Sequence, residues 1–600
     1  VGCESGPKSS GGGSLGGSCS LSGRVSTDYT GGPSVPAYCS GSTTYSGGVT
    51  ITGAATYQAR ELLTSASSFT PSPAGLGGPG TPRPIRYAEV VVTDSSGSQV
   101  QCTETDGSGA FSFTLPSSGG TYTVGVRSRA NNNNVKAYVM NCPEENEIYS
   151  ISTTVVADSS KSVGTLNAAA TGDIKGGAFN ILDQILEAND YLRTQVGSCS
   201  FTGCQAFSVA PLATVYWDAG FNPGYYAGSS STGTSFFTPT SNRLFILGGI
   251  NGDTDNTDTD HFDNSVILHE YGHFLESNVF ASDSPGGAHS MDRLIDPRLA
   301  WSEGFGNFFQ AAVQGFPTYI DTYGNSDGSS YGEFFRLSLE DQSGTYVDRP
   351  LRAEEGNFRE FSVTRVLWDS IDTDNDSETI TGGFPELWAT LTNSAAGGFL
   401  GASTSFRSVG LMHEFQSNIS GGTDWSPIRS LAMHTADRSN YATYVDNTGA
   451  CITPTATIVP SSVSNIDGTS DTGGLSTSHL LLNNDFYHYK HDGGTLTVQL
   501  SYDTTSGNEA DLDLYVYRYD DVNYFARYGV DNDLVNNVSA SEGLSTPDGN
   551  IGTGETETVS QSVPAGDYLI NVQVYTQDPP IGGSTDYTLR VGGVVLCPTA

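Results

Sequence analysis

The sequence predicts a multidomain protein in which a mixed α+β domain is flanked on both sides by all-β domains. Three observations predict it. At 600 residues the chain exceeds what one hydrophobic core supports, so it divides into about three or four domains. Apolar residues alternate with period two before residue 170 and again after residue 455, with turn-rich stretches between the runs. Between those two regions the apolar spacing becomes helical.

Taken in order, residues 1–20 form a Gly/Ser-rich tether. Residues 21–170 are a β region with strands predicted at 49–57, 87–93, 110–115 and 121–127; the third follows the turn Asp106-Gly107-Ser108-Gly109. Residues 171–452 open with a helix on which Phe179, Leu182, Ile185, Leu186 and Ala188 share a face. Strands follow at 213–218 and 243–247, then helices at 264–280, 298–314, 359–371, 405–417 and 427–434. Residues 455–600 return to alternation in GTLTVQLSYDTT, ADLDLYVYRYD, GDYLINVQVYT and DYTLRVGG, a pattern that suggests a jelly-roll-like sandwich.

Acidic residues outnumber basic ones by 65 to 26, a formal net charge of -39 that would repel phosphates and excludes nucleic-acid binding. It suits an extracellular protein, Ca²⁺ binding or a saline medium, although a solvated acidic surface accounts for most of it. No run approaches the ~20 apolar residues that cross a bilayer. The chain does not begin with Met, as expected of a mature form or a fragment. Its nine cysteines contain no Cys-x-x-Cys pair, which favours disulfides and an oxidising compartment. Proximity suggests Cys199–Cys204, Cys102–Cys142, Cys19–Cys39 and Cys451–Cys597, although spacing alone does not fix connectivity. Cys3, followed by the Gly/Ser stretch, resembles the end of a bacterial lipoprotein signal and is a candidate lipid anchor; a free thiol is the alternative.

The chemistry concentrates in His269-Glu270-Tyr271-Gly272-His273. Residues four apart share a helix face, so both imidazoles can reach one Zn²⁺, while Glu270 holds a zinc-activated water without binding the metal. With nine His in 600 residues, roughly 0.01 chance occurrences of the pattern are expected, so its presence carries weight. Asp263, Asn264 and Ser265 offer N-cap side chains to this helix. The preceding RLFILGG stretch is apolar enough to be a sheet edge on which an extended peptide could add as a strand.

A catalytic zinc needs a third protein ligand and an open position. The metzincin continuation is absent, because Glu276 and Val279 stand where its Gly and third His belong. Trp301-Ser302-Glu303-Gly304-Phe305-Gly306-Asn307 instead resembles the gluzincin, thermolysin-like pattern, which implies Glu303 as third ligand. Ser302 replaces that pattern's Asn, and Asn307 its second-shell Asp. Asn307 could accept a ring N–H but brings no charge. His289 is the rival third ligand, and Glu276 could orient His273 but is expected to face solvent. The 359–372 segment resembles the helix that follows the third-ligand helix; its apolar residues suggest core packing, and Arg365 or Asp369 could assist the site, although a salt bridge is the expected role. Two acidic runs, Asp253, Asp255, Asp258, Asp260 and Asp263, then Asp372, Asp374, Asp376 and Glu378, suit Ca²⁺, but neither has the EF-hand glycine and glutamate.

The flanks carry resemblances too. TETDGSGAFSFTLP and GTYTVGVRSR resemble carboxypeptidase regulatory-type domains. FYHYKHDGGTLTVQLSYD, ADLDLYVY and VPAGDYLINV resemble bacterial pre-peptidase C-terminal domains. Together the resemblances imply an α+β zincin catalytic domain between N- and C-terminal β-sandwiches, in a secreted or bacterial surface-anchored peptidase acting on proteins or peptides. Zn²⁺ is the implied cofactor, Glu270 the general base, and His413, His434, Tyr331 and Tyr346 the candidate oxyanion donors. The competing readings are an inactive adhesin on a zincin scaffold, and an aminopeptidase.

Overall fold

Alternation in the N-terminal region is realised as two four-stranded sheets. The first joins Lys161–Ala168, Val49–Tyr57 and Arg83–Pro84, with Ala110–Leu115 also paired to Val49–Tyr57; the second runs Ser150–Val156, Thr121–Arg127, Glu89–Thr93, Gln99–Glu104. Every second residue of Thr121–Arg127 is buried, as the period-two pattern requires. The computed structural model describes residues 34–39, 41–64, 71–201, 203–227, 233–254, 257–282, 284, 297–323, 333–339, 360–372, 383–394, 400, 407, 412, 484–502, 511–518, 537–541, 555–575 and 587–595.

A third sheet has the order Phe236–Thr238, Arg243–Phe245, Ala213–Tyr216, Lys136–Met140, Arg129–Asn131. Ala213–Tyr216 runs parallel to both of its neighbours. This sheet takes strands from both sides of residue 170, and one core cluster runs from Ile51 and Val92 through Phe179 to Leu268 and Phe309. The boundary expected at 170/171 therefore runs through shared structure. Arg243–Phe245 is not the sheet edge that its apolar character suggested: Phe236–Thr238 covers it antiparallel, and Leu247 N donates to Ser235 Oγ at 2.9 Å.

Five helices occur among the described residues: α1 (Lys175–Val196), α2 (Asn264–Asn278), α3 (Pro297–Gln314), α4 (Glu360–Asp369) and α5 (Gly383–Thr392). α2 packs along α3 through facing glycines. A Cβ on Gly272 would stand 3.2 Å from the Gly306 Cα, and one on Gly306 only 2.8 Å from the His269 ring. Absence of side chains there lets the two backbones approach closely enough to share a ligand set. α5 and the hairpin Thr318–Tyr323/Glu333–Ser338 were not anticipated from the sequence. The expected helices at 405–417 and 427–434 lie outside the described residues, except residues 407 and 412.

The cap of α2 differs from expectation in an informative way. Asp263 is the N-cap residue but makes no side-chain cap hydrogen bond. Its carboxylate instead accepts from Thr322 N at 2.7 Å and from Thr322 Oγ1 at 2.9 Å. Ser265 Oγ likewise accepts from Ile320 N at 3.2 Å. Both side chains are spent on fastening Thr318–Tyr323 to the start of α2, a tertiary use that the local pattern does not encode.

Toward the C-terminus, two further sheets have the orders Asn484–His491, Gly566–Tyr575, Asp511–Arg518, Asn537–Ser541 and Glu555–Val563, Gly494–Tyr502, Tyr587–Val591, Val594–Val595. Leu496, Val498, Leu514, Val516 and Ile570 belong to their common core. Cys199–Cys204 is bonded as expected, but Cys102 pairs with Cys39, which overturns both the Cys102–Cys142 and the Cys19–Cys39 expectations. Proximity in sequence misled here, because the chain returns residue 39 beside the strand Gln99–Glu104; Gln99 Nε2 also donates to Cys39 Sγ at 3.3 Å. Cys142 is itself disulfide-bonded. Cys3, Cys19, Cys451 and Cys597 lie outside the described residues.

Candidate metal centre

Helix α2 presents His269 and His273 one turn apart, and α3 presents Glu303 opposite them. The three side chains converge. His269 Nε2 lies 3.2 Å from Glu303 Oε2 and 3.1 Å from His273 Nε2, while His273 Nε2 lies 3.4 Å from Glu303 Oε2. Donor atoms on a tetrahedral ion at about 2.0–2.1 Å stand about 3.3–3.4 Å apart, so this triangle fits zinc. Two imidazoles and one carboxylate are also the donor set that suits it. The site is closed on one side and open on the other: the His269 side chain is 0% exposed, whereas those of His273 and Glu303 keep 12% and 11%.

His273 is held from behind. His273 Nδ1 stands 3.2 Å from Glu276 Oε2 and 3.1 Å from Ser302 Oγ, and Ser302 donates its own hydroxyl to Glu276 Oε2 at 2.5 Å. That pattern places the proton on Nδ1 and leaves Nε2 as the metal donor. Glu276 is therefore buried, at 0% exposure, and not solvent-facing as its sequence suggested. The Ser at position 302 fills the gap between the helices as a relay. Asn307 is fully buried, and its side-chain atoms meet no hydrogen-bond partner among the described residues, so it does not orient a ligand.

Electrostatics separate the two imidazoles. Burial holds His269 well below the ordinary imidazole range, so it stays neutral and able to ligate. Burial acts on His273 in the same direction. The charge of Glu303 and the hydrogen bonds to Glu276 and Glu303 outweigh it and push His273 up to about 10. Without a metal, the triad thus holds a proton on His273, which a cation must displace.

Glu270 is buried at 2% exposure and borders a small cavity with Val266, Tyr319, Asp258, Asp260 and Asp321. Tyr319 packs edge-on to His269 with ring centroids 6.0 Å apart. Arg365 and Asp369 are buried on α4, at 2% and 8% exposure. The rival ligand His289 and the candidate oxyanion donors Tyr331, Tyr346, His413 and His434 lie outside the described residues, as do Asp374, Asp376 and Glu378.

An orienting role for Glu276, one turn after His273, was the less favoured of two sequence readings, and the part of Ser302, beside Glu303, was not foreseen. Asp321 had no local signal at all, and only the fold brings it to Asp258 and Asp260.

Two comparisons with known proteins bear on the chain. An uncharacterized protein of Archaeoglobus fulgidus is 30% identical over 118 residues, covering 19% of this chain and 29% of that protein. The chain thus spans less than a third of that relative's length. Residues 229–393 match the family model described as Mycolysin C-terminal domain, and that span contains α2, α3 and all three converging donors. The match points this part of the chain toward a metallopeptidase family.

Proposed function

We propose that this chain is a zinc-dependent peptidase in which His269, His273 and Glu303 hold the metal and Glu270 is the general base. The observation that carries the reading is the triangle of donors with edges of 3.1, 3.2 and 3.4 Å, open to solvent on the side of His273 and Glu303. The Mycolysin C-terminal domain match over residues 229–393 supports it. Zn²⁺, when bound, would supply Lewis-acid polarisation of a carbonyl oxygen and acidify water. Ser302 and Glu276 hold the His273 ring with Nε2 forward. Glu270 follows His269 directly on α2, so its carboxylate can take a proton from an attacking water and return it to the departing amine nitrogen. One C–O bond forms, one C–N bond breaks, and the water proton leaves on the amine.

The wider organisation belongs to the same proposal: an α+β zincin domain between β-sandwich domains, exported or surface-anchored, acting on protein or peptide substrates. Cleavage of casein or quenched peptides by the purified chain tests it. Hydrolysis that a chelator abolishes and zinc restores is expected. A zinc-loaded chain that cleaves no peptide would instead favour an adhesin built on a zincin scaffold. Comparing peptides with free and blocked N-termini separates an aminopeptidase from an endopeptidase.

A further inference from the structure

A second polar cluster borders the cavity that Glu270 lines. Asp258 and Asp260, in the loop before α2, meet Asp321 from the strand Thr318–Tyr323, with one carboxylate oxygen of each within 4.8 Å of the others. Asp260 and Asp321 are 3% and 5% exposed. Asp260 is fixed through Oδ2, which accepts from Ser235 Oγ, and its backbone N donates to Leu247 O at 2.9 Å. Its other oxygen, Oδ1, is buried and meets no hydrogen-bond donor among the described residues; the same holds for Asp258 Oδ1. Between these carboxylates lies a cavity of about 10 Å³, lined by Asp258, Asp260, Glu270, Tyr319 and Asp321. That is room for a single water-sized particle.

We propose that Asp258, Asp260 and Asp321 form a structural Ca²⁺ site that clamps the loop before α2 to the strand that follows α3. The buried Oδ1 atoms of Asp258 and Asp260 carry a desolvation cost that a bound cation would relieve. A hard cation is the ligand that suits oxygen-only donors, whereas zinc prefers nitrogen and sulfur. Burial and mutual repulsion push Asp258 and Asp260 well above the ordinary carboxylate range, the direction expected of acids that lack their counter-ion. The clamp is continuous with the Asp263–Thr322 hydrogen bonds, so the ion and those bonds fasten the same strand to the base of the His-bearing helix. The inference does not depend on the zinc reading, since the two clusters share no ligand.

The experiment uses the full chain with zinc content monitored throughout. Ca²⁺ bound after desalting is counted by elemental analysis, and Tm is recorded in EGTA and in Ca²⁺. The variants are Asp321→Asn, Asp260→Asn and, in the other acidic run, Asp376→Asn. Wild type is expected to retain Ca²⁺ and to gain about 2–4 °C at Ca²⁺ a hundredfold above its Kd. Asp321→Asn and Asp260→Asn should lose that Ca²⁺ and the Tm gain with zinc unchanged, and Asp376→Asn should keep both. Should the variants fail to fold, terbium luminescence of wild type, sensitised through Tyr319 and reversed by Ca²⁺, reads the same site. Three results would each overturn the proposal: no Ca²⁺ retention with no terbium signal, a Ca²⁺ response untouched by the Asp321 and Asp260 variants, or a higher Tm in those variants than in Ca²⁺-treated wild type. The last would mean that the cluster is held by shared protons.

Discussion

Two convergent clusters flank the same helix, and they differ in how they are made. His269, His273 and Glu303 combine nitrogen with oxygen donors, keep one open face, and are oriented by Ser302 and Glu276. Asp258, Asp260 and Asp321 are oxygen only, enclose a one-particle cavity, and sit at the join of a loop and a strand. Softness of donors and access to solvent together assign them different tasks. A site with imidazoles and an open face suits chemistry, whereas a small oxygen-only site suits a structural hard cation.

The comparison breaks if the clusters exchange metals, and the strongest test is at Glu303. Glu303→Ala should release zinc and abolish hydrolysis while leaving retained Ca²⁺ unchanged; parallel elemental analysis and peptide assay read both. Next in size, Glu270→Gln should lower kcat by about 10²–10⁴-fold with zinc stoichiometry intact. Wild-type turnover in that variant would remove Glu270 from the mechanism.

Smaller effects sharpen the account of orientation. Ser302→Ala or Glu276→Gln should weaken zinc binding by about 10–100-fold, measured by competition with a chromophoric chelator. Ser302→Thr, which keeps the hydroxyl, should restore most of it. Equal affinities in the Ala and Thr variants would make the relay a packing feature only. Because zinc must displace the proton that His273 carries below about 10, the apparent affinity should rise with pH by up to about tenfold per unit.

The smallest expected effect lies beneath the site. His261 is 3% exposed and tilted against Trp217, and burial pushes its imidazole down to about 3. The unfolded chain binds a proton there below about 6.5 while the folded chain does not, so stability falls as pH drops through the window from about 6.5 to about 3. At pH 5 the loss is about 2 kcal/mol relative to pH 7. His261→Phe should flatten that part of the denaturation profile, and an unchanged slope would assign the acid sensitivity elsewhere.

Where information was local, the sequence disclosed it. The four-residue spacing of His269 and His273 and the alternation of Thr121–Arg127 depend on one element each. What failed was tertiary. Asp263 and Ser265 have the chemistry of helix caps but bind the strand Thr318–Tyr323, which was itself unforeseen. Glu276, an acid on a helix, looked solvated until α3 covered it. Cys102 bonds a residue 63 positions away, and sheet sharing across residue 170 has no compositional mark.

The central claim is that two imidazoles from α2 and a carboxylate from α3 grip one divalent ion. Zinc absorption spectroscopy on the purified chain, with zinc counted in the same sample, tests it most directly. One zinc per chain, bound by two histidine nitrogens with oxygen neighbours and lost in His269→Ala and Glu303→Ala, is the predicted result. Zinc that binds equally well to those variants, or sulfur among its neighbours, would contradict it.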